Sequence, residues 1–412
     1  MGPIPSIPSI PSIRFIAAKV ASGYFPGWHA ANATPAFDIS DISWDKYTKL
    51  VFAFARINSE TAEDGGLTIC QKFNPQLLAP FVEAAKSNNV AASVSIGGWE
   101  GSRFFSSLVG SAENQTKFVK TVTDFAVQYD LDGVDLDWEY PNRQGLGCNV
   151  VNANDTTNFL EFLKEFKADP VGAQLLVSAA VSITPFVAAD SSASTDVSEF
   201  AQYLDYITIM NYDIWGPWSS SVGPNAPLDD TCAAPANQQG SAVFAVQKWT
   251  EAGFPADQIL LGIPAYGRSF SVSKTSAYVN GTTELAAYPP FNSTTHPIGD
   301  SWDIDGGTVD PCGTINPNGG HWRFWALIEA GLLDECGKNV SGVPFRFDDC
   351  SKTAYLYHPD EEIEISFDNT DTWAAKGQFI SDKGLAGFNV WETGGDYNDL
   401  LLDAVRSTAG FN

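Results

Sequence analysis

Short apolar runs alternate along this chain with segments in which apolar side chains recur every three or four positions. The runs predict buried strands, and the helical spacing predicts amphipathic helices. Strands are predicted at residues 17–25, 49–55, 90–96, 131–141, 175–181, 206–210, 258–263 and 385–390. Helices are predicted at residues 75–87, 112–129, 156–166, 241–252 and 398–407.

Most of the eight predicted strands are followed by a helix, and most are apolar on both faces. This combination is typical of a parallel sheet covered by helices, and eight such units predict a closed (β/α)8 barrel of the α/β class. A doubly wound open sheet is the alternative. The sequence has no Gly-x-Gly-x-x-Gly segment after the first strand and no Walker loop, so nucleotide binding has no support.

The chain divides into an arm, a barrel and an insertion. Residues 1–16 begin with an Ile-Pro-Ser repeat, which lacks the basic and apolar regions of a signal peptide and predicts a disordered arm. Residues 17–412 form the predicted barrel. Within it, residues 271–368 break the strand and helix alternation with proline, glycine, aromatic residues and three cysteines. We expect a small inserted α+β subdomain there, between the seventh and eighth strands.

The fourth predicted strand combines acidic and apolar residues in strict alternation. The acids are Asp135, Asp137 and Glu139, and the apolar residues are Val134, Leu136 and Trp138. Because successive strand side chains point to opposite faces, the carboxyl groups share one face and the apolar set anchors the strand to the helices. Burial and mutual repulsion favour keeping some of these acids protonated near neutral pH, as a general acid requires.

Charge and composition narrow the class of ligand. The formal net charge of −26 repels phosphate backbones and anionic lipid surfaces, so nucleic acid and membranes are poor partners. The uncharged run at residues 171–189 is interrupted by polar residues and proline, and it predicts a buried strand and a loop rather than a membrane helix. The 12 tryptophans offer flat apolar surfaces that suit sugar faces as well as a core. A neutral ligand fits these properties best.

The cysteines and histidines argue for disulfides and against a metal. Six cysteines without C-x-x-C spacing and four scattered histidines do not form a zinc motif. An even cysteine count together with six N-x-S/T sequons favours a secreted, glycosylated protein, for which we expect a monomer. The pairing stays open, with Cys70 and Cys148 favoured because both are expected in loops on the C-terminal face of the barrel.

Polar and aromatic residues lie at the C-terminal ends of the predicted strands, where parallel barrels carry their functional residues. They include four motifs, which are Ser95-Ile-Gly-Gly98, Asp132-Gly-Val-Asp-Leu-Asp-Trp-Glu139, Met210-Asn-Tyr-Asp213 and Tyr266-Gly-Arg268. Together these motifs resemble glycoside hydrolase family 18, the chitinase family, over residues 20–405. The resemblance is to the bacterial-type branch with an α+β insertion. It implies retaining hydrolysis of β-1,4-linked N-acetylglucosamine in chitin and its oligomers, without a metal or a cofactor.

The resemblance also implies roles for individual residues. Glu139 would give a proton to the glycosidic oxygen, and Asp137 would exchange contacts between Asp135 and the acetamido group of the substrate. Tyr212 would help to hold that group, whose own oxygen replaces the nucleophilic carboxylate of other retaining glycosidases. The remaining implied residues are Tyr24 and Ser95 beside Asp135, Trp391 beneath the distorted sugar, Trp99 on the product side, and Met210, Asp213, Tyr266 and Arg268 around the sugar.

Two alternative functions stay open. The first is a catalytically silent chitin-binding lectin on the same barrel, although such proteins typically lack the acid or its neighbours, and all of these are present here. The second is an endo-β-N-acetylglucosaminidase that acts on N-glycan cores, against which the predicted subdomain argues.

Overall fold

A computed structural model describes residues 19–31, 33–57, 67–69, 75–303 and 306–411. Its central feature is a closed barrel of eight parallel strands, with one short antiparallel strand, β3 (Leu67–Ile69), beside β2. The barrel strands are β1 (Val20–Pro26), β2 (Lys49–Ile57), β4 (Ala91–Gly97), β5 (Gly133–Asp137), β6 (Leu176–Val181), β7 (Tyr206–Ile209), β8 (Ile259–Pro264) and β14 (Gly387–Trp391). Because β1 pairs with both β2 and β14, the sheet has no open edge there. The predicted (β/α)8 barrel is confirmed, and the doubly wound alternative is wrong.

Helices surround the barrel and bury their apolar faces against it. They are α1 (Leu78–Ser87), α2 (Phe105–Val109), α3 (Ala112–Tyr129), α4 (Asp155–Ala168), α5 (Ala242–Glu251), α8 (Thr370–Asp382) and α9 (Leu400–Ala409). Two short helices, α6 (Lys274–Ala277) and α7 (Phe324–Glu329), lie between the barrel strand that ends at Pro264 and α8, and Ala277 of α6 belongs to a separate buried cluster with Phe270 and Val272. Aromatic rings join neighbouring helices, as where Phe118 of α3 stacks on Phe162 of α4 with 4.8 Å between ring centres. No helix in the described part of the chain is long and apolar enough to cross a bilayer.

A second sheet follows directly after β8. Its strands are β9 (Tyr266–Ser271), β10 (His321–Arg323), β11 (Phe345–Asp348), β12 (Thr353–His358) and β13 (Ile363–Phe367), and all of its pairings are antiparallel. This separate antiparallel sheet is consistent with the predicted insertion. It begins at Tyr266, so Tyr266 and Arg268 lie on β9 and not on the seventh barrel strand, where the sequence had placed them. The predicted boundaries 1–16, 17–412 and 271–368 remain predictions, and the first of these segments lies outside the described residues.

Helix α8 was not predicted, because its apolar residues are interrupted by lysine and glycine. Its packing explains one of these interruptions. A Cβ atom at Gly377 would lie 2.6 Å from the carbonyl oxygen of Val405 in α9, so glycine allows the two helices to approach closely. Such close contact depends on tertiary structure and leaves no helical pattern in the sequence.

Two disulfides connect distant parts of the chain. Cys148 pairs with Cys312, and Cys232 pairs with Cys350, whereas Cys336 is an exposed thiol. The predicted pair of Cys70 with Cys148 is therefore wrong, and Cys70 itself lies outside the described residues. The prediction assumed that two barrel loops meet, but the inserted segment reaches the loop after β5 instead.

Candidate active site

The three acids of the fourth barrel strand lie at its C-terminal end and are all buried. Asp135 and Asp137 belong to β5, whereas Glu139 lies two residues beyond the strand. The backbone of Glu139 is held from both sides, since its N–H donates to Ser102 Oγ at 2.9 Å and its carbonyl accepts from Asn149 Nδ2 at 2.9 Å. These two contacts fix the direction in which the chain leaves the strand.

Trp138 anchors this row of acids to the helical layer. Its ring is buried and stacks on Phe105 of α2 at 5.2 Å, and it meets Phe159 of α4 edge to face at 5.6 Å. Val134 and Leu136 are also buried in the core. The predicted division of this strand into an acidic face and an anchoring apolar face is therefore present in the structure.

Asp135 is surrounded by hydroxyl donors. Its Oδ2 accepts hydrogen bonds from the Tyr24 hydroxyl at 3.0 Å and from Ser95 Oγ at 2.9 Å. Its Oδ1 accepts a hydrogen bond from Ser178 Oγ at 2.5 Å. The sequence pointed to Tyr24 and Ser95 but missed Ser178, which sits on β6 in a stretch of small residues without a motif. Three hydroxyl groups thus hold both oxygens of the Asp135 carboxyl group in place.

Asp137 has a different environment from its neighbour. It is buried, and its Oδ1 has no hydrogen-bond partner among the described residues. Burial raises its pKa well above the usual range, and the nearby carboxyl groups of Glu139 and Asp135 raise it further. Asp137 is therefore expected to be the member of the pair that carries the proton, with a polar atom free to contact a ligand.

Glu139 is held near the ionisation state that a general acid needs. Burial raises its pKa to about 7; a hydrogen bond from Tyr140 and the charge of Arg143 oppose this shift, and Asp213 adds to it. The Arg143 guanidinium lies over the Tyr140 ring at 3.9 Å, so these two residues form one polar group beside the carboxyl. At pH values below about 7 this arrangement keeps a proton on Glu139.

The residues of the third motif follow β7, which ends at Ile209. Met210 and Tyr212 are half-buried at this end of the barrel. Burial raises the pKa of the Tyr212 phenol well above its usual range, and nearby Tyr266 and Asp137 raise it further. The Tyr212 hydroxyl therefore keeps its proton and can donate a hydrogen bond.

Asp213 is joined to the fourth motif on β9. Its Oδ1 accepts hydrogen bonds from the Tyr266 hydroxyl at 2.6 Å and from Arg268 Nε at 2.7 Å. Burial acts to raise the Asp213 pKa, but the Arg268 charge together with the hydrogen bonds from Arg268 and Tyr266 lowers it below its usual range, so the carboxyl remains ionised. Arg268 also lies over the exposed ring of Trp218 at 4.8 Å. The insertion and the barrel thus share one charged cluster beside the acidic row.

Aromatic side chains line the same end of the barrel. Trp391, at the end of β14, meets Tyr24 edge to face at 5.2 Å and lies 5.6 Å from Phe54. The ring centre of Trp28 lies 6.2 Å from that of Trp391. Trp99 is half exposed after β4. Trp215 is buried against Tyr288 and does not offer a free surface.

The arrangement of the buried carboxyl groups suits proton transfer. In the described ranges no group of three or more histidine, cysteine, aspartate or glutamate side chains is placed to hold a metal ion. What the site offers is one carboxyl group held by three hydroxyl donors, two acids whose pKa burial raises, a phenol donor and the exposed indole rings of Trp99 and Trp218.

Comparisons with known proteins agree with this geometry. The family model for Glycosyl hydrolases family 18 matches residues 20–396. A chitinase-like effector from Moniliophthora roreri is 52% identical over 395 residues, covering 96% of this chain and 94% of the relative. A second chitinase-like effector, from Moniliophthora perniciosa, is 51% identical, and the match covers 95% of this chain and 87% of the relative.

Solved structures show the same fold. The crystal structure of a chitinase from Rhizomucor miehei has a TM-score of 0.83 at 31% identity, and it covers 95% of this chain and 100% of the other. The Group IV chitinase of Ostrinia furnacalis, solved with allosamidin, has a TM-score of 0.75 at 27% identity. This match covers 95% of this chain and 99% of the other. The chain belongs to glycosyl hydrolase family 18.

Proposed function

We propose that this protein is a chitinase, which hydrolyses β-1,4 links between N-acetylglucosamine units in chitin and its oligomers with retention of configuration. The observation that carries this proposal is that the three buried acids of the acidic row have different environments. Asp135 accepts three hydrogen bonds, Asp137 carries a proton with one oxygen unpartnered among the described residues, and burial raises the pKa of Glu139 to about 7.

In the first step Glu139 gives its proton to the glycosidic oxygen, and the bond from that oxygen to the anomeric carbon breaks. The acetamido oxygen of the same sugar forms a new bond to the anomeric carbon, which gives an oxazolinium ion. Asp137 and Tyr212 hold and polarise the acetamido group while its charge develops. A second carboxylate nucleophile is not needed, because the substrate supplies the attacking oxygen.

In the second step water attacks the anomeric carbon and the oxazolinium ring opens. Glu139, now ionised, takes a proton from that water and returns to its starting form. The two attacks occur on opposite faces of the anomeric carbon in turn, so the original configuration is retained. No metal or cofactor takes part in either step.

The aromatic residues and the charged cluster supply the proposed sugar contacts. Trp391 forms the floor beneath the distorted sugar, and the exposed rings of Trp99 and Trp218 offer further stacking surfaces. Flat indole rings suit pyranose faces because they bury C–H groups at little entropic cost. Asp213 and Arg268 provide polar contacts beside them.

A second candidate is a chitin-binding protein that does not cleave. It is favoured by the relatives that are about half identical to this chain, because these are called chitinase-like effectors. The acids and Tyr212 that hydrolysis requires are all present here, which supports the enzyme. An endo-β-N-acetylglucosaminidase acting on N-glycan cores is a further candidate that the same substrate panel tests.

The two disulfides support an extracellular location for the protein, since disulfides persist in oxidising compartments. Glycosylation at the sequons and a monomeric state remain predictions. The acidic net charge fits a neutral polymer better than nucleic acid or a membrane as partner.

The test compares the wild-type protein with Glu139→Gln on chitin, on chito-oligosaccharides of defined length and on an N-glycan. We expect the wild type to release N-acetylglucosamine oligomers from chitin, and the variant to bind the same ligands and lose at least about 100-fold in kcat, the lower end of the usual contribution of a general acid. Glu364→Gln is the matched control, because Glu364 is also buried with a raised pKa but lies on β13. Binding without cleavage by the wild type would identify the second candidate instead.

A further inference from the structure

Lys49, at the start of β2, extends the hydrogen-bond network of the acidic row into the barrel interior. Its side chain is buried, and its Nζ donates to Ser178 Oγ at 3.0 Å. The same Ser178 hydroxyl donates to Asp135 Oδ1 at 2.5 Å. Lys49 Nζ also lies 4.5 Å from the ring centre of Tyr206 on β7. A buried ammonium group therefore stands one hydroxyl group away from Asp135.

Lys49 fixes the direction of this network. An ammonium group can only donate, so the Ser178 oxygen accepts from Lys49 and its single proton must point to Asp135. Tyr24 and Ser95 donate to the other oxygen of Asp135. Asp135 consequently receives a proton donor on each side, and its ionised form satisfies all of them.

The charges around Lys49 keep it protonated at neutral pH. Burial lowers the pKa of Lys49 to about 8, while Asp135 and Asp205 act in the opposite direction. Tyr206 faces it with a ring, and burial and the charge of Asp135 raise the pKa of that phenol well above its usual range, so Tyr206 adds no charge. Tyr24 lies on the far side of Asp135 and is neutral for the same reasons. One cation thus faces Asp135 from the interior.

We propose that Lys49 is a positioning residue for the hydrolysis: through Ser178 it fixes Asp135 as the anion of the acidic pair and leaves the shared proton on Asp137. Asp137 then meets the acetamido group as a donor. Lys49 itself touches no substrate in this arrangement. The inference rests on the proposed function, because it explains how the residue that holds the acetamido group keeps its proton.

The test uses Lys49→Met and Ser178→Ala in the full chain. Each change weakens the stabilisation of the Asp135 anion, so we expect the acid limb of the kcat profile to move to higher pH by about one unit. At a fixed pH near that limb, kcat should fall about tenfold with little change in KM. The double variant should shift no further than either single variant, because both changes interrupt the same connection.

Lys376→Met is the control for losing a buried lysine. Lys376 lies on α8 and pairs with Asp368, and both side chains are buried outside the acidic row. This control should lose stability and keep the wild-type pH profile. If Lys49→Met does not fold, the acid limb of the Ser178→Ala profile tests the inference on its own. An unshifted acid limb in the folded variants overturns the inference.

The inference can fail separately from the proposed function. If the wild type binds chitotetraose but does not cleave it, hydrolysis is refuted, and the pH dependence of chitotetraose binding, measured by calorimetry, replaces kcat. A shift of that dependence in Lys49→Met and Ser178→Ala supports the role of Lys49, and an unchanged dependence refutes it.

Discussion

Cys148 and Cys312 form a disulfide that ties the loop after Glu139 to the segment inserted between β9 and β10. Arg103, in the loop after β4, reaches the same segment, since its Nη1 donates to the Pro311 carbonyl at 3.4 Å. The far end of the segment is held at Gly319, whose carbonyl accepts from Arg268 Nη1 at 3.4 Å. The segment is thus attached to the barrel loops that follow β4 and β5, and its far end is held by β9.

Removing this disulfide should affect stability and catalysis together. We expect the double variant Cys148→Ser, Cys312→Ser to lose roughly 2–5 kcal/mol of unfolding free energy. It should also lose activity on chitin, because the loop that follows Glu139 is released. Urea unfolding and product release measure the two effects. The matched control is Cys232→Ser, Cys350→Ser, which should lose similar stability and keep kcat; an equal loss of kcat in both would contradict a specific role.

The ionisation of Glu139 predicts the alkaline limit of activity. Its pKa of about 7 means that the proton needed for the first step is lost as the pH rises through about 7. Chitotetraose cleavage followed between pH 4 and pH 9 should therefore decline above about pH 7. A profile that stays flat to pH 9 would show that Glu139 does not supply the proton.

The same shift predicts a pH-dependent effect on stability. The folded pKa of Glu139 lies above its ordinary value of 4.5, so protonated Glu139 favours the folded state below about pH 4.5, and this contribution is lost as the pH rises through about 7. Glu139→Gln cannot ionise. We expect it to match the wild type in urea unfolding at pH 4 and to be more stable at pH 8, by up to about 3 kcal/mol at 1.36 kcal/mol per pKa unit. Equal stability at both pH values would contradict the raised pKa.

The sequence predicted the barrel well because most of its strands are buried apolar runs, and the acidic strand alternates strictly, so each has a local pattern. It could not predict where the strands end: Glu139 and Tyr212 lie beyond β5 and β7 because the chain leaves the sheet there through contacts such as Ser102 with the Glu139 backbone. Contacts between strands that are far apart in the sequence could not be predicted either. Lys49 and Ser178 are 129 residues apart and meet only when the barrel closes.

Tyr24 tests whether hydrogen bonds to Asp135 support catalysis. Tyr24→Phe removes one donor from the Asp135 carboxylate and leaves the ring against Trp391. A hydrogen bond to a charged group contributes roughly 1.5–3 kcal/mol, so we expect a loss of about 10- to 100-fold in kcat. Tyr357→Phe is the control, since the Tyr357 hydroxyl is also buried but donates to the Val272 carbonyl in the second sheet. Equal effects of the two changes on kcat would mean that Tyr24 acts only through stability.

Asp137→Asn distinguishes the contribution of Asp137 to substrate binding from its ability to lose a proton. Asparagine has the same shape and always presents N–H donors, so it imitates the protonated form that burial favours in Asp137. It cannot lose a proton, so it cannot supply the negative charge that would stabilise the oxazolinium ion as that ion forms. We therefore expect chitotetraose binding within about threefold of the wild type and a fall in kcat of roughly 100-fold, the scale seen when one electrostatic partner of a transition state is removed. Asp137→Ala should lose binding as well. Wild-type kcat in Asp137→Asn would show that the proton on Asp137 never needs to move.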